Sequence, residues 1–178
     1  PSTVVLVADN AYQVCTGTLI DSDVVLTAAH CLTGINITHV ITGSVNISQS
    51  GTWIPVVDET IHPTYSGNGG SDIAILELQY GASEPSIVIA SECVTDDYVY
   101  DGAPVAIVGF GAISYDGNQG TTRMHEAFST IGDADCSEDF VGGQYTTCDA
   151  QLRPAKEIFA GGGGVDACFG DSGGPLYV

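Results

Sequence analysis

The stretch Asp-Ala-Cys-Phe-Gly-Asp-Ser-Gly-Gly-Pro, residues 166–175, surrounds Ser172 with three glycines. A serine hydroxyl is a weak nucleophile unless a neighbouring base lies within hydrogen-bond reach. Glycines allow backbone angles that other residues avoid, and they let a substrate approach the backbone closely. Backbone N–H groups beside such a serine can stabilise the oxyanion that forms during acyl transfer. The stretch is therefore typical of a loop that presents a nucleophilic serine.

Two other segments supply the remaining residue types that this chemistry needs. Residues 26–31 read Leu-Thr-Ala-Ala-His-Cys, and residues 71–76 read Ser-Asp-Ile-Ala-Ile-Leu. The base that accepts a serine proton is normally a histidine, and a buried carboxylate normally fixes the tautomer of that histidine. A structural histidine and a turn serine are the alternative interpretation, but three separate motifs in one chain favour catalysis.

The order and spacing of Thr-Ala-Ala-His-Cys, Asp-Ile-Ala-Ile-Leu and Gly-Asp-Ser-Gly-Gly-Pro resemble those of the trypsin/chymotrypsin family of serine proteases. Three further segments are similar to family motifs: Val-Cys-Thr-Gly-Thr-Leu-Ile at 14–20, His-Pro-Thr-Tyr at 62–65 and Gly-Phe-Gly at 109–111. The resemblance covers essentially the whole chain. It implies a serine endopeptidase that hydrolyses peptide bonds through an acyl-enzyme intermediate and needs no cofactor.

The resemblance also implies a role for each residue of the candidate site. His30 would act as general base and then general acid, and Asp72 would orient it. Ser172 would be the nucleophile, and the N–H groups of Gly170 and Ser172 would form the oxyanion hole.

Two acidic residues near Ser172 extend this comparison. In trypsin-like members an acid at the position of Asp166 lies at the base of the primary specificity pocket, which implies cleavage after Arg or Lys. An ordinary loop acid is the alternative. Asp171 resembles the carboxylate that pairs with the new N-terminus when a zymogen is cleaved, and so it is expected to form an activation salt bridge.

Composition and resemblance together predict an all-β fold. Gly, Val, Ile and Thr are frequent and no long helical period stands out, which favours short strands joined by tight turns. The resemblance implies two six-stranded antiparallel Greek-key β-barrels, of which the second is incomplete in this chain. Residues 1–90 are predicted to form the first barrel with His30 and Asp72, residues 91–103 a connector, and residues 104–178 the second barrel with Ser172.

The ends of the chain depart from the family pattern. The usual Ile-Val-Gly-Gly-like start and the last strands of the second barrel have no counterpart, so we expect a segment trimmed at both ends. Such a segment could be inactive alone. Two alternatives therefore stay open: an inactive fragment of a larger protease, and a non-catalytic binding homologue on the same scaffold.

The formal net charge of −19 bears on the partners. A chain this acidic is repelled by nucleic acid and by anionic membranes, and no apolar run is long enough to span a bilayer. The expected partners are protein or peptide substrates, with protein inhibitors of such proteases as further candidates.

The six cysteines indicate an oxidising compartment, because no Cys-x-x-C pair suggests a zinc site. We therefore expect a secreted, extracellular or periplasmic protein and no bound metal. The resemblance implies a disulfide between Cys15 and Cys31. A disulfide between Cys136 and Cys148 is a further expectation, which leaves Cys93 and Cys168 without an assigned partner.

Overall fold

The computed structural model describes residues 1–9, 12–67, 70–114, 116–117, 119–136, 140–141, 144–145, 157–162 and 164–178. These residues divide into two compact units. The first contains Pro1–Val88, Val108–Glu126 and Ala167–Pro175, and the second contains Ile89–Ile107, Ala127–Asp166 and Leu176–Val178. The predicted domain boundaries at residues 90 and 104 remain predictions.

A closed barrel of six antiparallel strands lies in the first unit, with the order β1-β2-β3-β6-β5-β4. A short 3-10 helix, Ala29–Cys31, follows the third strand. The strands are β1 (Thr3–Ala8), β2 (Tyr12–Leu19), β3 (Val24–Thr27), β4 (Ile37–Thr42), β5 (Thr52–Ile61) and β6 (Ala74–Leu78).

Strands β1 and β6 show how the hydrophobic pattern fits this barrel. In β6, buried and exposed residues alternate, because one face of the strand meets the core and the other meets solvent. In β1 all six residues are buried. Val4 and Leu6 belong to the barrel core, whereas Val5 and Val7 pack with Phe110 in a second cluster of the same unit. A continuous apolar run is therefore needed in β1.

Gly17 of β2 allows the barrel wall to close tightly. A Cβ atom at this position would lie 2.7 Å from Val25 Cγ1 and 2.8 Å from Leu6 Cδ1. Real Cβ atoms do not approach other carbons so closely, so a larger residue would push β1 or β3 outward. The glycine of the Cys-Thr-Gly motif thus has a packing role beside the residues that carry the chemistry.

A four-stranded sheet with the order β11-β8-β7-β12 contains most of the remaining strands. Its small core in the second unit consists of Ala103, Val105 and Ile131. The elements of this part of the chain are α1 (Glu92–Tyr98), β7 (Pro104–Gly109), β8 (His125–Asp133), β9 (Phe140–Val141), β10 (Gln144–Tyr145), β11 (Phe159–Ala160) and β12 (Leu176–Tyr177).

One closed barrel together with a partial second sheet confirms the predicted all-β, chymotrypsin-like fold class. The helix α1 lies within residues predicted to be a connector. Among the described residues, no helix is long and apolar enough to cross a membrane.

Candidate active site

His30 lies at the centre of the 3-10 helix that follows β3. Its neighbours Ala29 and Cys31 are fully buried, whereas the His30 side chain is 45% exposed. A disulfide with an S–S distance of 2.05 Å joins Cys31 to Cys15 of β2, the pairing that the resemblance implied. The helix is therefore attached covalently to the barrel wall while its imidazole remains accessible.

The pairing of β3 with β6 brings Asp72 to His30. Thr27 is opposite Ala74 in this pair, and Asp72 lies two residues before Ala74. The backbone N–H of His30 donates a 2.8 Å hydrogen bond to Asp72 Oδ1, and His30 Nδ1 lies 2.7 Å from Asp72 Oδ2. Both oxygens of the Asp72 carboxylate therefore contact the same residue, His30. This arrangement fixes the ring and leaves Nε2 as the nitrogen that faces away from the carboxylate.

The residue before Asp72 has an unusual backbone conformation. Ser71 has a φ of 56°, a left-handed conformation that residues other than glycine rarely adopt. Its Oγ accepts a 2.8 Å hydrogen bond from the hydroxyl of Thr64, and its carbonyl oxygen accepts one from the N–H of Ile73. These contacts hold the turn that positions Asp72, and no sequence motif predicts them.

Ser172 lies beside the same disulfide as His30. The carbonyl oxygen of Ser172 is 3.7 Å from Cys31 Sγ, and His30 Nε2 is also 3.7 Å from that sulfur. The N–H of Thr16 in β2 donates a 3.0 Å hydrogen bond to the Ser172 carbonyl. Among the contacts of the described residues, no hydrogen bond joins the Ser172 hydroxyl to the His30 ring. Such bonds are often long in ligand-free proteases and shorten when substrate binds.

The loop around Ser172 can pack against the barrel only because it contains glycine. Gly173 has a φ of 78°, and a Cβ at this position would lie 2.7 Å from both the N of Ala28 and the O of Thr16, besides contacting Thr27 Oγ1. Gly170 has a φ of 97° and approaches Gly111. The motif glycines are therefore required by backbone angle and by space together.

The N–H groups of Gly170 and Ser172 are free to bind a ligand as far as the described residues are concerned. Neither donates a hydrogen bond to another described residue. The carbonyl of Gly170 is held instead, because it accepts a 2.8 Å hydrogen bond from the hydroxyl of Thr16. The backbone is thus held through its oxygen atoms while these two donors remain unused.

The carboxylate of Asp171 is held by two backbone N–H groups. Its Oδ1 accepts a 2.7 Å hydrogen bond from the N–H of Gly111, and its Oδ2 accepts a 2.9 Å bond from the N–H of Cys168. A Cβ at Gly109 or Gly111 would collide with the carboxylate. The Gly-Phe-Gly motif is therefore needed to let Asp171 approach, a constraint that the sequence motif alone did not explain.

Asp166 belongs to the second compact unit. A Cβ added at Gly161 of the same unit would lie 3.6 Å from Asp166 Oδ1, an ordinary contact distance. The assignment of Asp166 to a specificity pocket remains a prediction.

The other cysteines are placed differently. Cys136 is buried and Cys168 is half-buried, and neither forms a disulfide with another described residue. Cys148 lies outside the described residues, so the expected Cys136–Cys148 disulfide remains a prediction. The side chain of Cys93 is likewise not described.

One group within the described part of the chain has three potential metal-ligand atoms within 4.8 Å of one another, namely those of Cys15, His30 and Cys31. In the disulfide form its two sulfur atoms are bonded to each other.

Sequence comparisons agree with this geometry. A family model described as Trypsin matches residues 1–178. A protein named trypsin from Saccharopolyspora erythraea is 35% identical over 185 residues, which covers 100% of this chain and 76% of that relative. Chymotrypsin-like elastase family member 1 from Bos taurus is 33% identical over 174 residues, which covers 93% of this chain and 63% of that protein.

The fold is also similar to that of a solved structure, neuropsin, a serine protease expressed in the limbic system of mouse brain. The TM-score is 0.77 at 26% identity, and the match covers 99% of this chain and 77% of neuropsin. The chain thus spans 76% of the trypsin and 63% of the elastase that it matches. Sequence and structure together show that the chain belongs to the trypsin family of serine proteases.

Proposed function

We propose that the protein is a serine endopeptidase in which Ser172, His30 and Asp72 form the catalytic triad. The observation that carries the proposal is the pair of short contacts from one carboxylate to one residue, 2.8 Å to the His30 N–H and 2.7 Å to His30 Nδ1. A histidine held in this way can accept a proton at Nε2 and is stabilised when it becomes charged.

The proposed reaction begins with attack of Ser172 Oγ on the carbonyl carbon of the scissile peptide. His30 Nε2 takes the serine proton, and the carbonyl oxygen becomes an oxyanion that the N–H groups of Gly170 and Ser172 stabilise. The tetrahedral intermediate collapses, and His30 donates the proton to the leaving amine. Water then attacks the acyl-enzyme by the same route, which releases the carboxylic acid and restores Ser172.

For the primary specificity we propose cleavage after Arg or Lys, with Asp166 as the carboxylate that pairs with the substrate side chain. The proposal rests on the position of this acid six residues before Ser172. A carboxylate left unpaired against an apolar substrate side chain is costly, which would disfavour other substrates. The names of the relatives include both a trypsin and an elastase, so the choice requires a direct measurement.

We also propose that Asp171 forms a salt bridge during activation. A positively charged group placed next to the Asp171 carboxylate would complete its pairing beside the N–H groups of Gly111 and Cys168.

Protein or peptide substrates and protein inhibitors are the proposed partners. An extracellular or periplasmic location is supported by the disulfide between Cys15 and Cys31.

The decisive experiment is covalent labelling with a fluorophosphonate, followed by intact mass, with Ser172→Ala as the matched control. One adduct per chain, absent from the control, is the expected result. If the complete protein stays unlabelled under conditions in which a known serine protease reacts, the catalytic proposal is wrong and a non-catalytic binding protein replaces it.

A further inference from the structure

We propose that Asn36 is a modification site that carries one N-linked oligosaccharide in the folded protein, and that Asn46 stays unmodified. The sequence contains two Asn-x-Ser/Thr triplets, Asn36-Ile37-Thr38 and Asn46-Ile47-Ser48. This triplet is the acceptor motif for N-linked glycans, but it also arises by chance. A glycan is bulky and lies on the protein surface. The surroundings of the two asparagines in the folded chain therefore decide between them.

The side chain of Asn36 is exposed and directly precedes β4. Its neighbours on both sides face inward, because Ile37 belongs to the barrel core and Ile35 packs against that core. Successive side chains of an extended segment point to opposite faces, so the Asn36 side chain is directed to solvent. The chain beside it is also open, since no atom lies within 4 Å of a Cβ added at Gly34. An oligosaccharide attached to Asn36 would therefore extend into solvent.

The side-chain amide of Asn36 makes one hydrogen bond and keeps a hydrogen for substitution. Nδ2 donates a 3.0 Å bond to Asp9 Oδ1, and the carbonyl oxygen of Asn36 accepts a 3.3 Å bond from the N–H of Asp9. Within the described part of the chain, no other hydrogen bond involves this side chain. An asparagine amide has two hydrogens, and a bond to a sugar replaces one of them. The other hydrogen keeps the contact with Asp9, so the glycan and the fold are compatible.

Asn46 is enclosed, in contrast to Asn36. It is only 7% exposed. Its Oδ1 accepts hydrogen bonds from the N–H of Ser48 at 3.2 Å, the hydroxyl of Ser48 at 2.7 Å and the hydroxyl of Thr122 at 3.2 Å. A sugar ring on Nδ2 needs free space around the amide, and making that space would pull Oδ1 away from these donors. Chains glycosylated at Asn46 should therefore fold poorly.

The transfer requires a lipid-linked oligosaccharide diphosphate as the donor and a transferase of the secretory route. Nδ2 of Asn36 attacks the anomeric carbon of the first sugar. An N–C bond forms, the bond from that carbon to the diphosphate oxygen breaks, and the lipid diphosphate leaves. The amide nitrogen loses one proton, and nothing is oxidised or reduced. The modification agrees with the proposed extracellular location, because this motif is used in secreted proteins.

The test uses the complete protein carrying Ser172→Ala, so that its result does not depend on the proposed protease activity. The protein is secreted from a eukaryotic host that attaches N-linked glycans, and circular dichroism verifies the fold. Intact mass is measured before and after treatment with a peptide N-glycosidase, which removes the glycan and converts its asparagine to aspartate. We expect one glycan per chain, with the conversion located at Asn36 and absent from Asn46 by peptide mass spectrometry.

Matched variants in the same background separate the two triplets. Asn36→Gln and Thr38→Val each destroy the first triplet and should abolish the mass decrease on deglycosylation. Thr38→Ser keeps the hydroxyl of the motif and should retain the glycan. Ser48→Ala destroys the second triplet without replacing Asn46, and should leave the mass decrease unchanged.

Three results would overturn the proposal: a secreted parent protein without a glycan, a conversion to aspartate at Asn46, or a mass decrease that survives Asn36→Gln. Where secretion is poor, translation with microsomal membranes gives a second measurement, and a gel-mobility shift that Asn36→Gln does not reduce would overturn it equally. Fluorophosphonate labelling of the parent protein tests the protease function separately, so either proposal can fail while the other stands.

Discussion

Thr16 holds the segment around the proposed nucleophile through two separate hydrogen bonds. Its backbone N–H donates a 3.0 Å bond to the carbonyl of Ser172, and its hydroxyl donates a 2.8 Å bond to the carbonyl of Gly170. The same hydroxyl accepts a 3.2 Å bond from the N–H of Phe110. One barrel residue therefore holds the two peptide groups that directly follow the N–H donors we assign to the oxyanion.

We expect Thr16→Val to impair catalysis without removing any catalytic group. It deletes two hydrogen bonds of the hydroxyl, which should lower the free energy of unfolding by about 1–2 kcal/mol. The rate of fluorophosphonate labelling should fall about tenfold, less than the ~100-fold that loss of an oxyanion donor causes. Thr18→Val is the control, because its hydroxyl has no hydrogen bond to another described residue. Equal effects of the two variants would contradict the assignment.

Gly173→Ala should unfold or inactivate the protein. The added Cβ meets Thr27 Oγ1, the N of Ala28 and the O of Thr16, and φ is 78°. The cost should exceed about 4 kcal/mol, as measured by urea denaturation. Gly67→Ala is the matched control, because φ is 80° there but no atom lies within 4 Å of the added Cβ. That variant should lose only about 1–2 kcal/mol, so a similar loss in both would show that the contacts of Gly173 do not matter.

Asp72→Asn should leave the fold intact and lower kcat about 10⁴-fold. The amide can still accept the His30 backbone N–H through its oxygen, but its NH₂ group faces the ring and favours the wrong tautomer. Steady-state hydrolysis of peptide amides measures the effect, and circular dichroism verifies the fold. A decrease of less than tenfold would mean that Asp72 does not orient the base.

Asp166→Ser should change specificity more than it changes catalysis. The carboxylate is exposed in this structure and is proposed to become buried against Arg or Lys of the bound substrate, and loss of one partner of a buried pair costs about 3–5 kcal/mol. The ratio kcat/KM for Arg and Lys substrates should therefore fall at least about 100-fold, while that for a Phe substrate stays within a few-fold. Asp135→Ser, in the same compact unit, is the control. A uniform decrease for all three substrates would argue for a structural role.

The residues of the candidate site were predictable because each lies in a motif of short sequence range. His30, Asp72 and Ser172 could be identified one at a time from the residues beside them. The contacts of Thr16 could not, because they join positions 154 residues apart in the chain, from Thr16 to Gly170. A pattern of neighbouring residues cannot predict a hydrogen bond between such distant positions, although Thr16 lies in the Cys-Thr-Gly motif.

The antiparallel barrel followed from the resemblance, whereas the extent of some elements did not. β5 continues to Ile61, although residues 58–60 are polar. Asp58 and Glu59 are exposed on the strand, and β5 has an irregular register between Val56 and Asp58, so their charge did not end it. Helix α1 was not predicted, because it is only seven residues long and most of these residues have weak helix propensity.

The pairing of β3 with β6 has a consequence for how preparations of this protein are judged. Because Thr27 is opposite Ala74, the separation of His30 and Asp72 is set by the alignment of two strands. A slip by one residue would move Asp72 by about 3.3 Å and reverse the faces of β6. Such molecules could retain strand content and still be unreactive. Titration with a stoichiometric serine reagent would therefore count correctly aligned molecules, and its ratio to total protein would measure the fidelity of refolding.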